Sequence, residues 1–442
     1  MNPLLAKACK NLSGDSLFQS LRSQFGSLPD PRSGEVEIPL GDALMSAFAM
    51  FSLKDPSLLA FDDRRQDPND NFRTIYGINR VPCDSQMRAL LDPVDPAALR
   101  APFREIFRRL QRGNGLKRFV SLDGHYLLSL DGTTYFSSSK IHCPSCLEKH
   151  HRGGGLTYSH QLLGATLVHP DLKEVIPLAP EPIIHQDGQT KNDCERNATR
   201  RWLQRFRQEH PHLPVIVVED ALSSNAPHLR DLREAKAHYI IGVKPGDHAF
   251  LFAHLQTLDQ AGLIEVLTLD DPATGILHHF RFCNEAPLNE SNPDELVNTL
   301  QYWEWHRDGK VQHFSWISDF LLTPENVWDV MRGGRARWKI ENETFNTLKN
   351  QGYHLEHNYG HGEQNLSVVL MLLMMLAFLV DQVQQLCCPL FQAVWHKMRT
   401  KSHLWEEIRC CFHRLLFNSM EELLAALLNG IERQRPVLTD TS

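Results

Sequence analysis

The spacing of apolar positions changes character along this chain. Over residues 1–118 they recur every three to four residues, as in GDALMSAFAMFSL, DSQMRALL and DPAALRAPFREIFRRLQR, which predicts helices. Asp95 and Pro96 open the last of these as N-cap and first-turn proline. Turn-rich stretches, PDPRSG and RRQDPNDN, separate the pieces. Near Phe119 the pattern turns to strands: KRFVSL, HYLLSL, TYSHQLLGATLVHP and EVIPLAPEPI. A helix fits ERNATRRWLQRFRQEHP, and LPVIVVED reads as a fully buried strand by its length and β-branching. APHLRDLREAKA and AHYIIGVKPG then add a helix and a strand. The order β-β-β-α-β-α-β describes an α/β fold, a mixed sheet with helices packed on it. From Gly246 to about Pro324, ILHHFRFCNEA and QYWEWHRDGKVQHFSWISDFLL, with the turn Arg307-Asp308-Gly309-Lys310, predict β-hairpins. Thr323-Pro324-Glu325 supplies a cap, first-turn proline and acidic first turn for the next helix, and the chain from Leu366 onward reads as helical.

These changes divide the chain into a helical region (1–118), a core (119–245), a β-rich insertion (246–324), a second part of the core (325–386) and a helical C-terminal region (387–442). A length of 442 residues accommodates this. Composition is that of a soluble globular protein, 42% hydrophobic and 22% charged. A net charge of −7 argues against a generally basic nucleic-acid binder, so such contacts must rest on local patches. Two exist: segment 100–118, with Arg108, Arg109 and Arg112 and only Glu105 against them, and Arg332, Arg335, Arg337 and Lys339. The ten cysteines include adjacent pairs and members of apolar runs, as expected of reduced thiols in a cytoplasm. The N-terminal MNPLLAKACKNLSGDS lacks the apolar core of a signal peptide. Val368–Val380 is shorter than the ~20 residues that span a bilayer and reads as a buried core helix, so no membrane partner is expected.

The candidate chemistry lies in three acidic residues. Asp131 and Asp220 follow the apolar strands of YLLSLDGTTY and LPVIVVED, and Glu341 stands in the helical run RGGRARWKIENETFNTLK. Brought together, three carboxylates suit divalent metal ions at a phosphodiester. Asp123 in VSLDGHYLLSL competes with Asp131 and is assigned to a hairpin turn, because the longer apolar strand precedes Asp131. Glu219 competes with Asp220, and since neighbours on a strand point opposite ways, one of them faces the site. Glu343 competes with Glu341, which has Arg337 four residues before it on the same helix face.

Asp131-Gly132-Thr133-Thr134 after the first strand, Asp220 after Pro214–Val218, and Glu341 on a helix beyond a β-rich insertion resemble the DDE transposases of bacterial insertion sequences, best the IS-four type. The resemblance covers roughly residues 120–385 and implies an RNase-H-like mixed sheet flanked by helices, with helical regions at both ends. It implies Asp131, Asp220 and Glu341 as catalytic ligands of two Mg²⁺ (or Mn²⁺) ions, one activating water and later a 3′-hydroxyl, the other stabilising the departing oxygen. The IS-four signature runs tyrosine, two residues, arginine, three residues, glutamate, six residues, lysine. Arg337 and Glu341 fit it; the tyrosine position holds Gly334, and Lys349 comes one residue late. Arg337 would hold a phosphate through its planar fork. Lys339 and Lys349 join it as candidate DNA contacts, and Trp303, Trp305 and Trp316 are candidates to stack on an unpaired base. Cross-strand packing is the commoner role for such tryptophans. The implied partners are double-stranded DNA, as element ends and target, and a second copy in a homodimer. The implied location is the bacterial cytoplasm. A nuclease that cuts without joining, and a DNA-binding relic, are the competing readings.

A second constellation follows the first of these strands. SSKIHCPSCLEKHHRGGG offers Cys143 and Cys146 as C-x-x-C, then His150 and His151, with His142 also available, a set that suits tetrahedral Zn²⁺. Its place in the chain points to a structural or DNA-contacting role. His160 and His169 read as strand-face and turn residues, and His354, His357 and His361 as loop residues within reach of DNA or metal.

Overall fold

A computed structural model describes residues 11–30, 32, 36–66, 70–184 and 194–430. Residues 1–10 of the N-terminal stretch and parts of both turn-rich stretches therefore lie outside the described residues. The chain divides into two compact units. One comprises Met1–Gly115, Asn350–His354 and Asn365–Ser442, the other Leu116–Lys349 and Leu355–Gln364.

The first unit is helical. Leu366–Cys387 is long and apolar enough to cross a membrane, yet it is buried throughout and packs on helices Leu40–Ser52, Asp84–Leu91 and Arg100–Arg112 of the same unit. A helix apolar on all sides is buried in this way. It thus belongs with the N-terminal helices, whereas the boundary expected at residue 386 grouped it with the core. Within it, Asp381 is 1% exposed and pairs with Lys54 at 2.6 Å, while Tyr353 donates to the same carboxylate oxygen. The Lys54 ammonium also lies over the rings of Tyr353 and Trp405, at 4.1 and 4.0 Å. Asp95 caps the expected helix by accepting from the Ala97 N–H at 2.9 Å. That helix starts as a 3₁₀ turn, Pro96–Leu99, before Arg100–Arg112. It buries Phe103, Ile106, Phe107 and Leu110 and exposes Arg104, Arg108 and Arg112 on one stripe.

The second unit is built on one mixed sheet. Its strands are β1 (Tyr126–Ser138), β2 (Leu147–His150), β3 (Leu156–Val168), β4 (Ile176–Pro177), β5 (Glu181–Ile183), β6 (Val215–Glu219), β7 (His238–Gly242), β8 (Glu265–Asp271), β9 (Ile276–Asn289), β10 (Asn292–Trp305) and β11 (Val311–Ser318). They lie in the order β2-β3-β1-β6-β7-β11-β10-β9-β8, with β4 and β5 also on β3. β1 is antiparallel to β3 and parallel to β6, which is parallel to β7, as the RNase-H-like expectation requires. The β-rich insertion begins with a helix, Ala249–Gln260, and is continuous with the core sheet, because β11 pairs with β7.

Local expectations failed in three places. KRFVSL is a 3₁₀ turn, Gly115–Phe119, followed by a single bridge from Val120 to Tyr126. Its buried residues, Leu116 and Phe119, are spaced by three rather than two, which a strand cannot accommodate on one face. Asp123 lies in the intervening turn at φ 50°, as expected. EVIPLAPEPI yields only the short β4 and β5, since its prolines cannot donate to a ladder. The helix after the insertion starts at Val327, later than Thr323-Pro324-Glu325 implied, with Asn326 as the N-cap residue.

Candidate active site

The register of the sheet brings the two aspartates together. β1 and β6 run parallel and pair through Ser129↔Val218, so Asp131 and Asp220 each stand two residues beyond that same rung. Asp131 does not end its strand, as the sequence implied. β1 continues to Ser138 against β3, with Asp131 opposite Gly164. What ends there is the pairing with β6, and a sheet that splits in this way opens a cleft at the carboxyl ends of parallel strands. Asp220 is exposed and caps the turn Ala221–Ser223, its Oδ1 accepting from Leu222 N–H at 2.9 Å. Glu219 faces away: it is 3% exposed and its carboxylate meets His228 Nε2 at 2.5 Å.

The helical run carrying Glu341 is not one regular helix. Val327–Ala336 is α-helical, Ile340–Phe345 is a π-helix, and Asn346–Asn350 is α-helical again. A π turn bonds i to i+5 and so takes up one residue more than an α turn. This accounts for Lys349 standing one residue late against the signature: the extra residue is absorbed between Glu341 and Lys349. The π segment sits on the sheet through Phe345, whose ring lies where a Cβ on Gly164 would approach to 2.8 Å. A glycine opposite Asp131 therefore lets the glutamate-bearing segment approach the strand. Glu341 is bound by Arg337 at 2.7 Å, and the same guanidinium nitrogen lies 3.6 Å from Asp131. Glu343, by contrast, exerts its attraction on Lys339.

Electrostatics tie these groups into one site. Burial pushes the Asp131 carboxyl up to about 7; Arg337 pulls it down, and Glu195, Glu341 and Asp220 push it up. Glu195, the first residue of helix Glu195–Glu209, escaped notice in the sequence because it reads there as an ordinary acidic first turn. Its carboxyl is raised by burial and by Glu219 and Asp220, against the pull of the Gly132 N–H. A Cβ on Gly132 would come within 2.6 Å of Glu195 Oε2, so this glycine makes room for a fourth carboxylate. Asp220 and Arg337 also line a cleft with His313, Trp316 and Trp338. Trp338, 43% exposed, is a second group the sequence reading passed over, although it stands directly after Arg337.

Other expected contacts are engaged within the protein. Lys339 is 6% exposed and donates to the Leu172 carbonyl at 2.5 Å, so it is not presented to DNA. Arg332 binds Asp171 and Arg335 binds Glu304, so this basic cluster is largely an internal ion-pair set. Lys349 pairs with Glu356 at 2.8 Å. Trp303 stacks on His313 at 4.3 Å and Trp305 on His279 at 5.1 Å, the cross-strand role. Trp316 is 6% exposed. In the helical unit, Arg108 and Arg109 both bind Glu105, and Arg112 is exposed.

The cysteine loop also departs from expectation. Cys143 and Cys146 meet His160 and His361, not His150 and His151. His150 is exposed beside Glu148 at 3.8 Å, His151 bonds Thr157 at 2.7 Å, and His142 stacks on Tyr158 at 4.3 Å.

Residues 172–379 match the family model described as a transposase DDE domain. The match spans Asp220 and Glu341 and begins after Asp131. No curated protein sequence matches the chain. Among solved structures it is similar to that of a piggyBac transposase synaptic complex with hairpin DNA, at 11% identity and a TM-score of 0.39, over 96% of this chain and 81% of that one. Residues 172–379 thus carry the match to a transposase DDE domain, a family whose members cut and join DNA strands and use divalent metal ions.

Proposed function

We propose that Asp131, Asp220 and Glu341 are the catalytic carboxylates and together hold two Mg²⁺ ions, for which Mn²⁺ can substitute. The observation that carries this reading is the shared rung Ser129↔Val218, beyond which both aspartates emerge, with Glu341 tied to Asp131 through Arg337. The donor set fits the ions. Hard oxygen ligands are what Mg²⁺ and Mn²⁺ take. Here Glu195, Glu341 and Asp220 raise the affinity of Asp131 for a proton, and Arg337 stands beside it as a cation. When bound, the ions polarise the attacking oxygen and take up charge on the leaving one.

The chain's own groups do the rest. The Leu222 N–H fixes one oxygen of Asp220 and so its direction. With metal holding the carboxylates, Arg337 would be free to present its planar fork to a phosphate. Trp338 offers an exposed ring beside the cleft for a base. The Arg104, Arg108 and Arg112 stripe contacts phosphates of double-stranded DNA. The enzyme acts on the ends of its own element and on target DNA, as a homodimer that brings two ends together, in the bacterial cytoplasm.

A plasmid carrying the gene's native flanking ends tests this. Wild type with Mg²⁺ cuts at the ends, whereas EDTA or Asp220→Asn abolishes cutting. Cutting by Asp220→Asn at the wild-type rate would remove Asp220 from the site.

A further inference from the structure

We propose that Cys143, Cys146, His160 and His361 form a structural Zn²⁺ site in the sheet-bearing unit, distinct from the carboxylates and independent of their assignment. The four ligand atoms lie within 4.8 Å of one another, and all four residues are buried. The two sulfurs are 3.8 Å apart. His160 Nε2 is 3.4 Å from each sulfur, and His361 Nε2 is 3.4 Å from Cys146 Sγ. Tetrahedral bonds of roughly 2.3 Å to sulfur and 2.0–2.1 Å to nitrogen place two sulfurs about 3.8 Å apart and a sulfur and a nitrogen about 3.6 Å apart. The side chains thus already stand close to the edges of a zinc tetrahedron.

Three further features favour the metal. The loop is a tight turn in which Cys146 N–H donates to the Cys143 carbonyl at 3.1 Å and Cys143 N–H donates to Cys146 Sγ at 3.4 Å, which holds the two sulfurs side by side. Both imidazoles aim Nε2 at the sulfurs, while neither Nδ1 has a hydrogen-bond partner among the described residues, so the cluster is the polar interaction that orients these rings. Two thiolates, two neutral imidazoles and Zn²⁺ sum to zero charge, which is the condition for burying the set cheaply. An S₂N₂ donor set selects zinc, and four protein ligands leave no position for substrate, so the site is structural.

The site joins chain segments that the sheet alone does not hold together. Cys143 and Cys146 lie in the loop between β1 and β2, and His160 lies on β3 opposite Phe136. His361 lies in the segment 355–364, which follows the stretch carrying Glu341 and Lys349. Zinc would pin that segment to the strand pair bearing Asp131.

The test uses the full chain purified from zinc-replete cells. Metal analysis should find one zinc per chain, and Co²⁺ exchanged in its place should give thiolate-to-cobalt charge-transfer absorption, which carboxylate-bound cobalt cannot. Cys146→Ser should abolish that band. His361→Ala should weaken binding by more than the roughly 10–100-fold that loss of a ligand's outer hydrogen-bond partner costs. The double variant His150→Ala/His151→Ala and the variant Asp220→Asn should keep both zinc and band. If Cys146→Ser fails to fold, thiol modification of wild type with a mercurial reagent should release one zinc per chain. A folded wild type without zinc or cobalt band would overturn the proposal, as would loss of the metal in His150→Ala/His151→Ala.

Discussion

Two aspartates in this protein are both pushed towards the neutral form by burial, and the molecule treats them in opposite ways. Asp381, wholly buried in the helical unit, receives Lys54 at 2.6 Å and the Tyr353 hydroxyl, so its charge is answered by the protein itself. Asp131, at the split in the sheet, is surrounded by more of its own kind: Glu195, Glu341 and Asp220 raise its carboxyl, and Arg337 opposes them. A closed ion pair is an element of structure. A group of like charges with too little cation beside it is a place where a cation from solution gains most.

The contrast can be broken by substitution. In the site, Asp220→Asn or Asp131→Asn should lower strand cleavage on the order of 10³-fold, as losing a group that organises transition-state charge does. Melting temperature should stay level or rise, since each change removes repulsion; a large fall would make the cluster structural instead. Asp381→Ala should do the reverse: it leaves Lys54 buried and unpaired and should cost about 3–5 kcal/mol in denaturant unfolding. Stability unchanged in that variant would mean that the pair is already neutral.

Smaller effects sharpen the account. Gly164→Ala pushes against the Phe345 ring and should cost about 1–3 kcal/mol, with activity falling further than stability explains because Glu341 rides on the displaced segment. Unfolding curves and cleavage rates on the same samples separate the two. Glu195→Gln should change Mn²⁺ affinity by about tenfold, the lower end of what groups next to metal ligands contribute, read by titration calorimetry. An unchanged isotherm would leave Glu195 as a helix-terminus acid only. Arg112→Ala should reduce the slope of log affinity against log salt by about 1, with little effect on sequence preference.

How much of this was legible in the sequence depended on how local each cause is. The apolar runs before Asp131 and Asp220 announced strands because burial of a parallel strand demands them. That Asp131 lies inside β1 was hidden, since the extra length comes from pairing with β3, a distant partner. The Arg337–Glu341 pair was readable from helical spacing, but the late lysine looked like a defect until the π turn took up the extra residue. The cysteine loop pointed to metal, yet the sequence paired it with His150 and His151 and gave nothing to link it to His160 or His361. The actual neighbours of Cys146 are 14 and 215 positions away, brought by β3 and by the return of the chain after the Glu341 segment. Arg332, Arg335 and Lys339 formed a basic cluster by count alone, and their partners Asp171, Glu304 and the Leu172 carbonyl are all remote in sequence.

The most direct test of the carboxylate assignment is an anomalous difference map from crystals of the full chain soaked in Mn²⁺. The account predicts a peak at about 2.1 Å, the distance of octahedral oxygen ligation, from oxygens of both Asp131 and Asp220, with Glu341 completing the site and Arg337 moved off it. Manganese bound to Glu219 and His228 instead, or no density between the two aspartates, would contradict it.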